Sequence, residues 1–328
     1  MRGTKGDLRK QRTPHPAPRT PQGFTYRQAV ERLKRARIES ALLDAACLLE
    51  AASGVQRWRF MLEPERPVSS GGSGLLESML SRREAREPIA YILGAKEFWS
   101  LPLAIGPGVL IPRLETETLV EAVLEKIRGA KCEVRGERES HPAPRTPHPA
   151  PKIVDLGTGC GAIALALASE IPRSRIWAID RSHDALRIAM WNAEKLGFAG
   201  QLQFLAGDLF EPLRTIRAEG RFDLIVANPP YIPSDELVSL PPEVGVYEPH
   251  EALDGGPDGL RYHRRIIEAA PGYLDGGGWL ALEIGDGQAA EVARLIEKTG
   301  AFGPVEVRRD LAGHDRVVLA LRRTRANG

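Results

Sequence analysis

From Ile153 onward, short apolar runs alternate with stretches of helical period: Ile153–Leu156, Ala162–Glu170, Arg175–Asp180, and so on to Leu321. Such alternation leaves a chain few choices, because each apolar run must be covered on both faces, and a parallel sheet flanked by helices does that. Phe222–Ala227 is the sharpest case: it is apolar except for Asp223, has the length of one strand, and is halted by Pro229. Strands are also expected over Leu202–Asp208, Trp279–Ile284, Val305–Arg308 and Arg316–Leu321, the last two as a hairpin at the sheet edge. Helices are expected over Leu260–Leu274 and Gln288–Thr299. The fold class is therefore α/β, a doubly wound, seven-stranded, mostly parallel sheet.

The ends of these strands carry the chemistry. Gly157-Thr158-Gly159-Cys160-Gly161 follows the first strand, and its glycines allow a tight turn and a close approach of backbone to ligand. Asp180 ends the second strand, where a carboxylate can accept hydrogen bonds from two ribose hydroxyls. Asp208, followed by Leu209, ends the third and suits the rim of an adenine. The glycine loop also fits G-x-G-x-x-A, so alone it does not separate a dinucleotide enzyme from a methyl-donor site. Asn228-Pro229-Pro230-Tyr231 separates them. The Asn228 side-chain carbonyl and the Pro229 carbonyl offer two adjacent acceptors that match an NH2 group, and Tyr231 adds a flat face for a planar amide or base. Hydride transfer needs no such arrangement. The plainer reading is a strand followed by a Pro-rich turn.

Ahead of this region, residues 24–86 read as a small helical bundle. Thr25 and Gln28 form a capping box, and Ala29, Val30, Leu33 and Ala36 share one face. A second helix begins at Ser40 and repeats Leu42, Leu43, Ala46, Cys47 and Leu49 until Gly54. A third carries Trp58 and Met61, and a fourth groups Leu75, Leu76, Met79 and Leu80. Packing alone or a grip on the substrate would each explain such a bundle. Residues 87–112 read as a linker containing a β-hairpin, with Pro88–Gly94 and Glu97–Leu103 as its arms. Residues 1–23 form a basic, Pro-rich tail expected to be disordered, and a similar Pro-rich insert occupies about 136–151, inside a domain running from 113 to 328.

Charge narrows the partners. Residues 1–22 carry six basic side chains and one acid, and residues 131–152 five against three; without them the formal +2 becomes −5. A mildly acidic body is not one that grips many phosphates, so no direct nucleic-acid partner is expected. Cys47, Cys132 and Cys160 are too few and too scattered for a disulfide framework or a zinc site, and no metal is expected. No run approaches the roughly 18 apolar residues of a membrane span, and no apolar segment follows the basic N-terminus, which points to a cytoplasmic protein without a membrane role.

Taken together, these residues resemble the S-adenosylmethionine-dependent methyltransferases of Rossmann-like, class I fold. Within them the chain is similar to the release-factor glutamine methyltransferases. The likeness runs from about Phe24 to Leu321 outside the Pro-rich segments. It rests on Arg82-Arg83, Pro88–Gly94, Glu97-Phe98-Trp99, Ile111-Pro112-Arg113 with Glu115-Thr116-Glu117, Asp155–Gly161, Asn228–Tyr231, Glu248-Pro249, and Asp310–Gly313 with Asp315-Arg316. Asn-Pro-Pro-Tyr itself is shared with nucleic-acid amino-methyltransferases, so N6-adenine or N2-guanine methylation is the competing enzyme reading. A donor-binding scaffold without activity is the competing reading of another class.

The resemblance implies S-adenosylmethionine as methyl donor and the glutamine of the Gly-Gly-Gln loop of class I peptide chain release factors as acceptor, with the bundle as the part that recognises the substrate. It implies that Asn228, Pro229, Pro230 and Tyr231 hold the acceptor amide. It further implies that Gly157, Thr158, Gly159, Cys160 and Gly161 line the methionine and ribose part of the donor, that Asp180 holds the ribose, and that Asp208 and Leu209 border the adenine. Asn228 would touch both donor and acceptor, while Phe98, Arg113 and Glu117 would close the site. Other conspicuous residues read more plainly: Cys160 as a small loop residue, Asp155 as an orienter of the glycine loop or a donor ligand, His314 as a turn residue, Met190 and Trp191 as core, and Arg261–Arg265 as a solvated helix face.

Overall fold

The computed structural model describes residues 24–133, 150–216 and 222–324. The expected tail and all but the last two residues of the expected insert lie outside them. The chain divides between Arg86 and Glu87 into two compact units.

Among the described residues, the smaller unit holds four helices: α1 (Tyr26–Arg35), α2 (Ala41–Ser53), α3 (Arg57–Leu62) and α4 (Ser70–Glu84). Thr25 and Gln28 cap α1 reciprocally. Leu33, Leu48, Leu49, Phe60, Leu76 and Leu80 form its buried centre. The expected faces need correction, because Leu42, Leu43, Trp58, Met61 and Leu75 are at least half exposed. Helix α2 is apolar almost all round, so its period cannot choose a face. The choice falls with Asp44, which turns inward to take the Ser40 hydroxyl and the buried Arg83 guanidinium, each at 2.8 Å.

In the larger unit, the segment read as a linker belongs to the core. Pro88–Gly94 is not a strand: Ile89–Leu93 forms the short helix α5, and the hairpin is β1 (Ala95–Phe98) with β2 (Leu101–Ala104). Trp99 and Ser100 both take positive φ in the two-residue turn, as the twist of such a hairpin demands. Strand alternation then sends Phe98 inward, and Tyr91, Leu103 and Val109 pack with it beneath one face of the main sheet. A 3-10 turn at Leu114–Thr116 leads into α6 (Glu117–Glu133).

The main sheet follows the expected alternation: β3 (Lys152–Leu156), α7 (Ala162–Glu170), β4 (Arg175–Asp180), α8 (His183–Leu196), β5 (Leu202–Ala206), α9 (Glu211–Thr215) and β6 (Phe222–Ala227). Then come β7 (Ile232–Pro233), α10 (Pro242–Gly245), β8 (Asp254–Gly256), α11 (Arg261–Tyr273), β9 (Leu274–Glu283), α12 (Ala289–Lys298), β10 (Phe302–Arg309) and β11 (Asp315–Arg322). The order is β10-β11-β9-β6-β3-β4-β5, parallel except for β11, which runs antiparallel to both neighbours and so makes the edge hairpin. Buried clusters cover both faces. Strand order reverses between β3 and β6, which opens a crevice at their carboxyl ends. Met190 and Trp191 are not core: both lie on the outer side of α8, where Lys195 sits over the indole. Asn192 is the buried residue of that stretch, bridging the Ala104 backbone and the Cys160 carbonyl.

Candidate active site

A cavity of about 140 Å³ occupies the crevice. Much of its wall comes from the ends of four parallel strands: Gly157 and Gly159 after β3, Asp180 at the end of β4, Asp208 and Leu209 after β5, and Asn228, Pro229 and Pro230 after β6. A smaller cavity of about 60 Å³ lies beside it, lined by Arg113, Tyr231, Ile232, Val244 and Leu253. Leu110, Asn228, Pro229 and Ala252 line both. The strand-end asparagine and the proline after it therefore stand where the two cavities meet.

On the larger side, main-chain groups set the carboxylates. Asp180 accepts the Gly159 and Ser182 N–H groups at 2.8 Å, one on each oxygen, which fastens the glycine loop to the end of β4. Burial raises its pKa, and these hydrogen bonds oppose the rise. Asp155 is fully buried and lies outside the cavity wall. It accepts the Thr158 hydroxyl at 2.6 Å, so it orients the loop, and burial pushes its pKa up to about 7. Gly161 takes φ +87°, and a Cβ there would stand 3.2 Å from that of Ala189, so glycine lets α7 close onto α8. Asp208 pairs with Arg265 at 2.6 Å.

On the smaller side the support is long-range. Glu248, buried, takes the Ile111 N–H at 3.0 Å and the Arg113 guanidinium at 2.5 Å, which ties the segment before α6 to the loop after β7. The β7–β8 pair closes that loop at its base. The Tyr231 carbonyl accepts from Gln288 Nε2 at 2.9 Å, and Gly259 must be glycine because a Cβ at its φ of +74° would overlap that carbonyl. Burial and the nearby Glu283 push the Tyr231 phenol up to about 12. Asn228 Nδ2 donates to Thr116 Oγ1 at 3.2 Å, which leaves Asn228 Oδ1 as its acceptor toward the cavities.

Several expected site residues lie elsewhere. Thr158, Cys160 and Gly161 line neither cavity: the first turns toward Asp155, Cys160 is buried with its thiol pushed up to about 12, and Gly161 opens α7. Phe98 is core, and Glu117 accepts the Trp99 N–H at 2.8 Å. The Arg261–Arg265 run is only partly a solvated face. Its arginines pair with Asp254, Asp258 and Asp208, but Tyr262 lines the larger cavity and His263 is fully buried, its Nε2 against the Glu283 carbonyl. His314 is half exposed, 3.4 Å from Asp286. Gly108–Leu110, Arg181 and Glu251 line the larger cavity and Thr116 bonds Asn228, and the sequence reading assigned none of them a role. Of these, Thr116 alone carried a signal, as part of the Glu-Thr-Glu block after Ile-Pro-Arg.

Comparison with known proteins adds a family. Residues 25–94 match the model described as the PrmC N-terminal domain, and residues 147–302 match a methyltransferase domain. A release factor glutamine methyltransferase of Moorella thermoacetica is 42% identical over 296 residues, which cover 90% of this chain and 96% of that protein. One from Geobacter sulfurreducens is 40% identical over 86% of this chain and 89% of its own length. Among solved structures, the hMettl16 catalytic domain bound to a MAT2A 3'UTR hairpin superposes with a TM-score of 0.53 at 13% identity, covering 78% of this chain and 81% of that one, a likeness of fold alone.

Sheet order, glycine loop and strand-end cavity thus define a class I methyltransferase. Identity at this level over nearly the whole chain narrows the class: the chain belongs to the release factor glutamine methyltransferase family.

Proposed function

We propose that this protein transfers a methyl group from S-adenosylmethionine to the side-chain amide nitrogen (N5) of the glutamine in the Gly-Gly-Gln motif of class I peptide chain release factors. One observation carries the reading: two cavities meet at Asn228 and Pro229. The larger suits the donor. Open space lies where a Cβ would stand at Gly157 and Gly159, Asp180 and Asp208 bring carboxylates for hydroxyl and amino groups, and Leu156, Leu209 and Ala185 supply apolar wall. When bound there, the donor supplies an electrophilic methyl group on a sulfonium.

The chain's own contribution is orientation. An amide nitrogen is a poor nucleophile because its lone pair is delocalised, so the site must align it and exclude water. Asn228 Oδ1 and the Pro229 carbonyl accept the two amide hydrogens, and Tyr231, a neutral phenol, packs on the amide plane. The lone pair then faces the larger cavity. The nitrogen sheds its proton after the methyl arrives, so no strong base is required beforehand. Arg113, fixed by Glu248, frames the acceptor side. The helical unit recognises the release factor, and its exposed Leu43, Trp58 and Met61 are surface available for that contact. Translation termination places the reaction in the cytoplasm.

The test is transfer from labelled S-adenosylmethionine to a purified release factor carrying Gly-Gly-Gln or Gly-Gly-Ala. Label that vanishes with the glutamine is the expected result. Equal label on both, or transfer to nucleic acid instead, would overturn the reading.

A further inference from the structure

Glu283 ends β9, and its carboxylate has no role in the reaction described so far. Ala227 of β6 pairs with Leu282 of β9, so Asn228 and Glu283 are the next residues in register on the two neighbouring strands. In a parallel pair they share a face, the face that α6 covers with Leu119, Val120 and Val123. Thr116, at the mouth of α6, is buried there and accepts from Asn228 Nδ2 at 3.2 Å. Glu283 is 1% exposed, and among the described residues neither of its oxygens has a hydrogen-bond partner. A buried carboxylate without a hydrogen-bond partner is costly, and its presence calls for an explanation.

We propose that Glu283 is a positioning residue that sets which way the Asn228 amide faces, acting through the Thr116 hydroxyl. The inference rests on Asn228 Oδ1 being the acceptor for the substrate amide. An ionised Glu283 can only accept; in the relay the Thr116 hydroxyl turns to donate to it, a hydrogen bond not formed in the structure, and presents a lone pair toward Asn228. Asn228 must then present Nδ2 to Thr116 and Oδ1 to the cavity. A protonated Glu283 can donate to Thr116 instead, freeing the hydroxyl hydrogen for Asn228 Oδ1 and allowing the amide to flip.

The surroundings tune this group. Burial pushes Glu283 up to about 7. The Thr116 hydroxyl, Arg316 of β11 and Arg113 favour its ionised form, and Glu115 opposes it. Tyr231, beside Asn228, is neutral, and burial of His263 on α11 pushes its pKa down to about 4, so it too is uncharged near neutrality. The carboxylate form is the productive one, so transfer at saturating donor falls as pH drops through about 7.

The experiment measures labelled transfer to a Gly-Gly-Gln release factor from pH 5.5 to 9, with donor affinity followed separately by titration calorimetry. Variants are Glu283→Gln, Thr116→Val, Thr116→Ser and the Glu283→Gln/Thr116→Val pair. Losing the charged end of the relay should lower kcat in Glu283→Gln on the order of tenfold at pH 8 and flatten its acid limb, with donor affinity unchanged. Thr116→Ser, which keeps the hydroxyl, should retain activity, whereas Thr116→Val should lose as much as Glu283→Gln. The pair should cost no more than the worse single change. An unchanged acid limb in Glu283→Gln, or losses that multiply in the pair, would overturn the relay while leaving the wild-type reaction in place. Wild-type protein that methylates no glutamine would overturn the underlying reading and the relay with it.

Discussion

The larger cavity is walled mainly by residues that follow directly on β3, β4, β5 and β6, whereas the smaller one gathers Arg113, Val244 and Leu253 from segments far apart in sequence. In the first, main-chain N–H groups and glycine conformations do most of the positioning, as at Asp180 and the loop it clamps. In the second, side chains do it: Glu248 holds Ile111 and Arg113, Gln288 holds Tyr231, and Thr116 holds Asn228. A site built on backbone turns tolerates changes of neighbouring side chains. A site built on single side-chain contacts does not, so substitutions on the acceptor side should affect transfer while sparing the donor.

The largest effect should come where the two cavities meet. Asn228→Ala removes the acceptor proposed to hold the substrate amide, and by analogy with the loss of one preorganised hydrogen-bonding group kcat/KM should fall about 10² to 10³-fold. Next is Gly259→Ala, which forces a Cβ against the Tyr231 carbonyl at positive φ. Left-handed strain of about 1–2 kcal/mol, if it displaces Tyr231, corresponds to roughly tenfold in kcat. Arg113→Lys keeps the charge but loses the planar fork toward Glu248, and KM for the release factor should rise about threefold with donor affinity unchanged. Weaker donor binding in Arg113→Lys or Gly259→Ala would break the division between the two sides.

The smallest effect sharpens the donor side through stability. Asp155 has a folded pKa of about 7, above its ordinary value near 3.8, so it binds its proton more tightly in the native state. Native stability from this group is fully present below about pH 4 and is lost as pH rises through about 7. Asp155→Asn keeps an acceptor for the Thr158 hydroxyl and cannot ionise. Its melting temperature relative to wild type should therefore be highest at pH 8 and fall back as pH approaches 4. A difference that is the same at every pH would contradict the assignment.

The same contrast governs how much the sequence made legible. Gly157, Gly159, Asp180, Asp208 and Asn228 were visible because each ends an apolar strand or follows one within three residues, and strand ends are where an open parallel sheet keeps its ligands. Val244 and Leu253 were not, since the loop between β7 and β8 has no sustained period and is tied by strands of only two and three residues. Phe98 was expected to close the site on the family resemblance alone, and no local pattern placed it there. The tight turn puts Trp99 outside the strand, and alternation sends Phe98 into the core. Glu283 falls inside the strand expected over Trp279–Ile284 with no role of its own, and only the register with Asn228 gives it meaning. In the bundle, α2 offered two apolar faces, and the Asp44–Arg83 pair, joining residues 39 apart, decided between them.

The most direct test of the account is donor affinity and methyl transfer measured side by side in Tyr231→Ala, because Tyr231 lines the smaller cavity and not the larger. The account predicts a donor Kd within about twofold of wild type and transfer to the Gly-Gly-Gln glutamine reduced about a hundredfold, the cost expected when an aligned acceptor is misplaced. Transfer at the wild-type rate, or a donor affinity that falls in step with transfer, would contradict it.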